Sequence, residues 1–251
     1  MAPNPAAAPA LVVLWALLGW LIGGPMGALA VSLPAGHVRT SLTGRCGKCG
    51  ATFSRAAVLL RLRRRAEICQ ECGEALREPW PYPEAAMALV FALVAWRFGW
   101  GPWLAVYSVF CATLVLVVFV DLRHRLILDA VTYPAILAAV ACAIVAGGAV
   151  PALLGGAVVG ATFLAFYLLA RVLYRSAGAL GLGDVKLAVL VGLLVGWPSA
   201  LTAIMVSVVA GAVAAVALLV AGRSRNSTMP YGPNLVLGAI AALLLGPGPW
   251  K

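Results

Sequence analysis

The sequence predicts an all-α, polytopic membrane protein of about eight transmembrane helices with one small polar loop. Of its 251 residues, 63% are hydrophobic and only 10% are charged, a balance far outside the range of soluble domains. One crossing of a bilayer takes roughly 20 apolar residues, so the length leaves room for about eight. Eight apolar runs fit this count, at about 10–33, 84–98, 102–120, 130–147, 151–174, 184–197, 199–221 and 233–247.

The ends of these runs are marked by charges or by turn residues such as Gly147-Gly148 and Trp197-Pro198. The run 184–197 is too short to span alone without tilt or an extension. The first run is long and lacks the basic start of a cleaved signal peptide, so a retained helix is expected. These observations predict three regions: a first transmembrane helix, a polar loop and a membrane domain, over 1–33, 34–83 and 84–251.

The basic residues predict the orientation, because short loops rich in Lys and Arg stay in the cytoplasm. If the N-terminus lies outside the cytoplasm, 16 of the 18 Lys and Arg residues lie on the cytoplasmic side, and only Arg97 and Lys251 lie on the other side. The inside loops are then 34–83, 121–129, 171–183 and 222–232. The net charge of +10 is therefore mostly juxtamembrane, where anionic lipid headgroups, rather than nucleic acid, are the expected partners.

Acidic residues are scarce in the membrane region. After residue 84 the chain has no Glu and only three Asp, namely Asp121, Asp129 and Asp184. A carboxylate near hydrocarbon is costly and is seldom kept without a partner or a task. On the predicted topology, Asp121 closes one apolar run and Asp184 opens another at the same cytoplasmic edge. The two carboxylates are therefore expected to be able to meet.

Two adjacent carboxylates share one proton, which is the arrangement needed for peptide hydrolysis by water. The ionised member takes a proton from the water while the protonated member donates one to the carbonyl oxygen. Other interpretations stay open on spacing and chemistry alone. Asp184, at a helix start, is compatible with an ordinary N-cap. Asp121 is compatible with an interface residue that pairs with Arg123 or Arg125. The aspartates together are also compatible with a transporter that relays protons.

Loop 34–83 contains four cysteines in a C-x2-C…C-x2-C arrangement, Cys46, Cys49, Cys69 and Cys72. Two such pairs place four thiolates within tetrahedral reach of one Zn²⁺. Disulfides are the alternative, but cytoplasmic thiols stay reduced. A closed four-thiolate site predicts a structural zinc that folds the loop. Cys111 and Cys142 lie in apolar runs and are expected to be packing residues.

At these residues the chain resembles the type IV prepilin leader peptidases, the bacterial GxGD membrane aspartyl peptidases. Gly181-Leu-Gly-Asp-Val-Lys-Leu187 resembles the family's GxGDxKL element, and VDLRHRLILD at 120–129 resembles its D-x6-PD element, with Leu128 in place of Pro. GGPMGALAVSLPAG near the first run and MPYGPNLVLGA at 229–239 resemble two further elements. The resemblance implies that Asp121 and Asp184 are the catalytic dyad. Asp129, Gly181, Gly183 and Lys186 take supporting places.

The implied function is removal of the basic leader of prepilins or pseudopilins at the cytoplasmic face of the bacterial inner membrane. The resemblance also links loop 34–83 to methylation of the new N-terminus with S-adenosylmethionine. The tail of the loop, REPWPYPEAAMA, resembles the family's RYP-x-VE segment, and Glu84 stands near the position of the acid in that segment. The middle of the loop, ATFSRAAVLLRLRRRAEI, lacks the family's aromatic and N-I-P stretch, which argues against methylation. The alternatives are a bifunctional peptidase and N-methyltransferase, or a non-enzymatic assembly or transport protein. The oligomeric state is not predicted.

Overall fold

The structure, a computed structural model, describes most of the chain as α-helices. The described residues are 9–34, 44–46, 48–54, 56, 68–76, 82–174, 181–222, 230–246 and 250. Within these ranges the named elements are eight helices, each coinciding with one predicted apolar run. They are α1 (Pro9–Ser32), α2 (Tyr82–Phe98), α3 (Pro102–His124), α4 (Asp129–Val145), α5 (Ala149–Tyr174), α6 (Leu182–Val195), α7 (Ser199–Val220) and α8 (Gly232–Leu245). The all-helical fold class is confirmed for this part of the chain.

Four of the helices are long and apolar enough to cross a membrane, among the residues that the structure describes. They are α1, α3, α5 (over Ala149–Val172) and α7. Helices α4 and α8 are apolar but shorter, and α2 and α6 have 17 and 14 residues. The structure therefore supports a membrane protein, and eight complete crossings stay a prediction.

The chain divides into two compact units, one ending at His124 and the other beginning at Arg125. The sequence predicted three regions, with boundaries at residues 33 and 83, and this division stays a prediction. Much of the basic charge that predicted the orientation, including Arg61 to Arg65, Arg175 and Arg223, lies outside the described residues.

In the first unit, α1 packs closely on α2 through a stripe of glycines. A Cβ on Gly19 would overlap the carbonyl oxygen of Met87, and one on Gly23 would overlap the backbone of Glu84. Hydrogen atoms in place of side chains let the two backbones approach, as is common between membrane helices. Helix α3 packs against both, and the result buries Tyr107 and Met87 completely.

In the second unit, the short helix α6 is the centre of the packing. It contacts α4, α5, α7 and α8, and every residue from Leu190 to Val195 is buried. Its 14 residues span only about 21 Å at 1.5 Å per residue, less than the hydrocarbon thickness. The sequence analysis found this run too short to span the membrane alone. Burial among four helices explains how a short helix is accommodated, because a helix covered by protein does not have to present a full apolar length to lipid.

Small residues again permit the closest contact. A Cβ on Gly155 of α5 would overlap the carbonyl oxygen of Gly192 on α6, and a Cβ on Gly192 would overlap the carbonyl oxygen of Gly155. The two backbones therefore touch at this crossing. Helix α6 ends at Val195, and Gly196 follows it with a φ of 67°, a positive value that glycine adopts more readily than other residues.

Candidate active site and metal centre

Asp184 lies in the first turn of α6, half-buried, with its carboxylate turned back over the helix start. The backbone N–H of Gly181 donates a hydrogen bond of 2.9 Å to Asp184 Oδ2, and the N–H of Asp184 donates one of 3.1 Å to the carbonyl of Gly181. The open N–H groups of a helix start and the helix dipole favour negative charge there. The N-cap residue of α6 is Gly181, and Asp184 is the third residue of the helix, so the interpretation of Asp184 as the N-cap itself is wrong. A carboxylate at this position, bonded to the N-cap N–H, is favoured in its ionised form.

The two glycines of the Gly-Leu-Gly-Asp sequence have different surroundings. A Cβ on Gly183 would lie 3.0 Å from Cβ of Ile127, so glycine permits the segment before α4 to pack on the first turn of α6. Gly181 has an extended backbone with a φ of −96°, and a Cβ there would meet Asp184 Oδ2 at 3.5 Å, an ordinary contact. Close approach therefore explains glycine at 183 and not at 181.

Asp129 and Lys186 form an ion pair between α4 and α6. Lys186 Nζ donates to both carboxylate oxygens of Asp129, at 2.8 and 3.0 Å. The same ammonium lies 4.9 Å from the ring centre of Tyr133, one helical turn after Asp129. The family resemblance implied only a supporting place for Lys186, and the structure pairs it with Asp129.

Asp121 lies in the last turns of α3 and is 4% exposed. Helix α3 continues to His124, so the sequence expectation that Asp121 begins the loop is wrong by about one turn. The extension has a simple physical reason, since Leu122, Arg123 and His124 are all compatible with a helix and basic side chains are favoured at a helix C-terminus. Asp121 belongs to the unit that ends at His124, and Asp184 belongs to the unit that begins at Arg125.

Tyr231, directly before α8, is a site neighbour to which the sequence analysis gave no role. Its hydroxyl donates a 2.9 Å hydrogen bond to the carbonyl of Ser207 on α7. Its ring lies 5.6 Å from that of Phe163, and a Cβ on Gly211 would come within 2.7 Å of it. Burial, with the negative charge of Asp184, raises the pKa of Tyr231. The position of Tyr231 in the MPYGPN stretch, which resembles a family element, is the feature of the sequence that could have indicated a role for it.

The four loop cysteines converge, as their spacing predicted. Their Sγ atoms all lie within 4.8 Å of one another, with Cys46 to Cys72 at 3.6 Å and Cys49 to Cys69 at 3.5 Å. These separations are too long for disulfides, and the described cysteines are free thiols. Four sulfurs at about 2.3 Å from one Zn²⁺ would lie roughly 3.8 Å apart. The donor set and its spacing therefore fit a tetrahedral metal ion.

The electrostatics of this cluster also call for a cation. Hydrogen bonds from the backbone of Cys72 and Glu71 lower the pKa of the Cys69 thiol to about 7. At Cys72 a backbone hydrogen bond from Glu74 acts in the same direction, but burial and the neighbouring thiols outweigh it and raise the pKa to about 12. Four adjacent thiolates repel one another, and a bound divalent cation removes that obstacle.

The loop around the cysteines is small. Each Cys pair lies in a tight turn, and the turns are closed by isolated bridges between Arg45 and Thr52 and between Ile68 and Ala75. Lys48 and Glu74 join the two turns through a 3.1 Å ion pair. Among the described loop residues, Leu76 is buried together with Cys46 and Cys69, and Phe53 is partly buried against them. Because this described core is small, a bound metal ion is expected to contribute to the stability of the loop.

Fold and site together define a class: a helical membrane protein that carries aspartates at helix ends and, in a polar loop, four cysteines whose spacing fits a metal ion. A model of the type IV leader peptidase family matches residues 108–216, which include all three aspartates. The chain belongs to this family, and the resemblance read from its motifs is confirmed.

Several relatives carry the name prepilin leader peptidase/N-methyltransferase, and three of them are compared with this chain. The protein of Myxococcus xanthus is 30% identical over 227 residues, 88% of this chain and 67% of that protein. The protein of Aeromonas salmonicida is 31% identical over 187 residues, 71% of this chain and 62% of the relative. The protein of Bacillus subtilis is 29% identical over 181 residues, 71% of each. The chain thus spans about two thirds of the length of these relatives. No solved structure matches it.

Proposed function

We propose that this protein is a membrane-embedded aspartyl endopeptidase that cuts the basic leader from type IV prepilins or pseudopilins at the cytoplasmic face of the inner membrane. The observation that carries the proposal is Asp184, an acid held at the start of a buried helix with its carboxylate oriented by the N–H of Gly181, in a chain that belongs to the leader peptidase family. Relatives named as prepilin leader peptidases support the substrate class.

Asp121 is the proposed partner of Asp184. A carboxyl group buried near the end of a membrane helix is costly and is seldom kept without a partner or a task. Support also comes from the sequence, in which Asp121 and Asp184 stand in the two segments, VDLRHRLILD and GLGDVKL, that resemble the acidic elements of the family.

The chemistry follows from the charge preference of each acid. Asp184, whose ionised form is favoured by the helix start, accepts a proton from a water molecule. The oxygen of that water attacks the peptide carbonyl carbon at the same time. Asp121 carries the shared proton and donates it to the carbonyl oxygen, which forms a tetrahedral diol. The diol returns one proton to Asp121, the carbon–nitrogen bond breaks, and the amine leaves with the proton from Asp184. Water is consumed and both acids return to their starting state.

The decisive experiment measures leader removal from a purified type IV prepilin by the full-length protein in detergent. Asp121→Asn and Asp184→Asn are each expected to lower the rate at least a hundredfold, since each loses a proton-transfer group. Glu74→Gln, which removes an acid of the cysteine loop, serves as the matched control and should cleave at the normal rate. Cleavage at the normal rate by either Asp variant would refute the dyad.

The four cysteines are proposed to hold one structural Zn²⁺, supported by sulfur spacings that fit tetrahedral coordination. We further propose eight crossings, with both ends of the described chain outside and the acids at the cytoplasmic edge. The excess of Lys and Arg in alternate loops supports this orientation, and the same residues provide contacts for anionic lipids.

A second candidate function is methylation of the new N-terminus with S-adenosylmethionine, favoured by the double name of the relatives. Glu84, the acid expected in that segment, is 4% exposed at the start of α2. The middle of the loop, whose departure from the family pattern argued against methylation, lies largely outside the described residues. Mass spectrometry of the processed pilin distinguishes the two: one added methyl group on its first residue requires the second activity, and its absence excludes it.

A further inference from the structure

The ion pair between Asp129 and Lys186 lies next to the proposed catalytic acid without involving it. Residues two apart on a helix do not share a face, so Lys186 is directed away from Asp184 although only Val185 separates them. Its ammonium instead contacts α4, through both oxygens of Asp129 and the face of the Tyr133 ring. The positive charge nearest to Asp184 in sequence is therefore engaged by a different acid.

The segment from Ile127 to Tyr133 holds α6 on both sides of Asp184. Ile127 packs on Gly183, the residue before it, and Asp129 binds Lys186, two residues after it. Two contacts at different points fix the rotation of a helix about its axis, which one contact does not. The direction in which Asp184 projects from α6 depends on that rotation.

The exposure of the pair indicates that its main contribution is not to stability. The side chain of Asp129 is 58% exposed and that of Lys186 30%, and exposed ion pairs contribute little to the free energy of unfolding because water screens them. The geometry is nevertheless specific, with two hydrogen bonds and a ring contact on one ammonium. Such a contact can restrict orientation while adding little stability.

We infer that Asp129 and Lys186 form a positioning pair that holds the first turn of α6 in the orientation in which Asp184 acts on the peptide. The inference rests on the proposed function. Tyr133, four residues after Asp129 on α4, completes the contact by covering the ammonium, and Lys186 does not act on the substrate itself.

The test is steady-state kinetics of full-length Lys186→Met, Asp129→Asn and the double variant on a purified type IV prepilin in detergent. Each single variant is expected to lower kcat about tenfold, because a misplacement of about 1 Å can cost roughly a hundredfold and loss of one of the contacts on α6 should move Asp184 by less than that. KM should stay within about twofold of the wild-type value. The double variant should lose no more than either single one, since both remove the same contact. Lys186→Arg, which keeps a charge able to bridge both carboxylate oxygens, should retain most of kcat.

Arg171→Gln is the matched control, because Arg171 also lies over a tyrosine ring, Tyr167, but on its own helix α5; its kcat should be unchanged. Wild-type kcat in both single variants, or losses that multiply in the double variant, would overturn the positioning pair. If Lys186→Met does not fold, Asp129→Asn, which preserves side-chain shape, decides alone.

Failure of this inference is distinguishable from failure of the proposed function. If Asp184→Asn cleaves prepilin normally, the dyad is wrong whatever the ion pair does. If Asp184→Asn is inactive while Asp129→Asn has wild-type kcat, only the positioning pair is wrong.

Discussion

The cysteine loop and the helix starts at Asp129 and Asp184 both hold several polar groups in fixed geometry, but by different means. In the loop, four thiols lie within 4.8 Å of one another, and few apolar side chains among the described loop residues are buried around them. At the helix starts, each acid is attached to a regular helix, and α6 packs against four other helices. The loop geometry is therefore expected to depend on a bound ion, whereas the acid geometry depends on helix packing.

The cysteine loop and the helix starts are therefore expected to be sensitive to different substitutions. A metal centre fails when one ligand is lost, because the remaining three thiolates leave the coordination incomplete. A helix start is insensitive to metal and fails when the backbone contacts behind it are forced apart. The two regions are therefore expected to respond to opposite sets of substitutions.

The largest expected effect is on the metal. Cys46→Ser and Cys69→Ser should each abolish stoichiometric zinc in the purified full-length protein, as measured by elemental analysis, because both residues supply ligands of one tetrahedral site. Cys142→Ser, a cysteine of α4, is the control and should retain one zinc ion per chain. A wild-type protein without zinc, or equal loss in Cys142→Ser, would contradict the metal centre. Loss of zinc should leave the thermal unfolding of the membrane helices nearly unchanged.

The converse substitution is Gly192→Ala in α6. Alanine normally stabilises a helix relative to glycine, but here the added Cβ would overlap the carbonyl oxygen of Gly155. We expect a loss of about 1–3 kcal/mol from overpacking, seen as a lower thermal midpoint in detergent, with zinc content unchanged.

Gly101→Ala is the matched control for this prediction, since a Cβ there meets nothing within 4 Å. Its thermal midpoint should equal or exceed that of the wild type. A midpoint for Gly192→Ala as high as that of Gly101→Ala would show that α5 and α6 are not in backbone contact.

The smallest expected effect is that of Tyr231→Phe. It removes the hydrogen bond to the carbonyl of Ser207 and keeps the ring against Gly211, so the free energy of unfolding should fall by about 0.5–1.5 kcal/mol. Thermal unfolding in detergent measures it. Tyr167→Phe, whose hydroxyl has only a 3.4 Å contact with Arg171, should change stability less, and the reverse order would exclude the Tyr231 hydrogen bond.

The membrane helices were predictable from sequence because each is a long apolar run bounded by charge or by Gly and Pro. The cysteine cluster was predictable because the spacing of four ligands restricts where they can meet. The exact end of α3 was not, since Asp121 looks like the end of an apolar run while the backbone remains helical to His124. Hydropathy reports burial in lipid, whereas a helix ends where its backbone hydrogen bonds end.

By itself the sequence determined the helical class, the family, the four cysteines that are proposed to bind a metal ion and the acids that are proposed to carry the chemistry. Only the tertiary structure decided that Lys186 pairs with Asp129, that the Tyr231 hydroxyl bonds the carbonyl of Ser207, and that the short helix α6 is covered by four others. These facts depend on which faces of separate helices meet. Helix rotation and register are set by close packing of side chains from distant parts of the chain, and a pattern along one segment does not contain them.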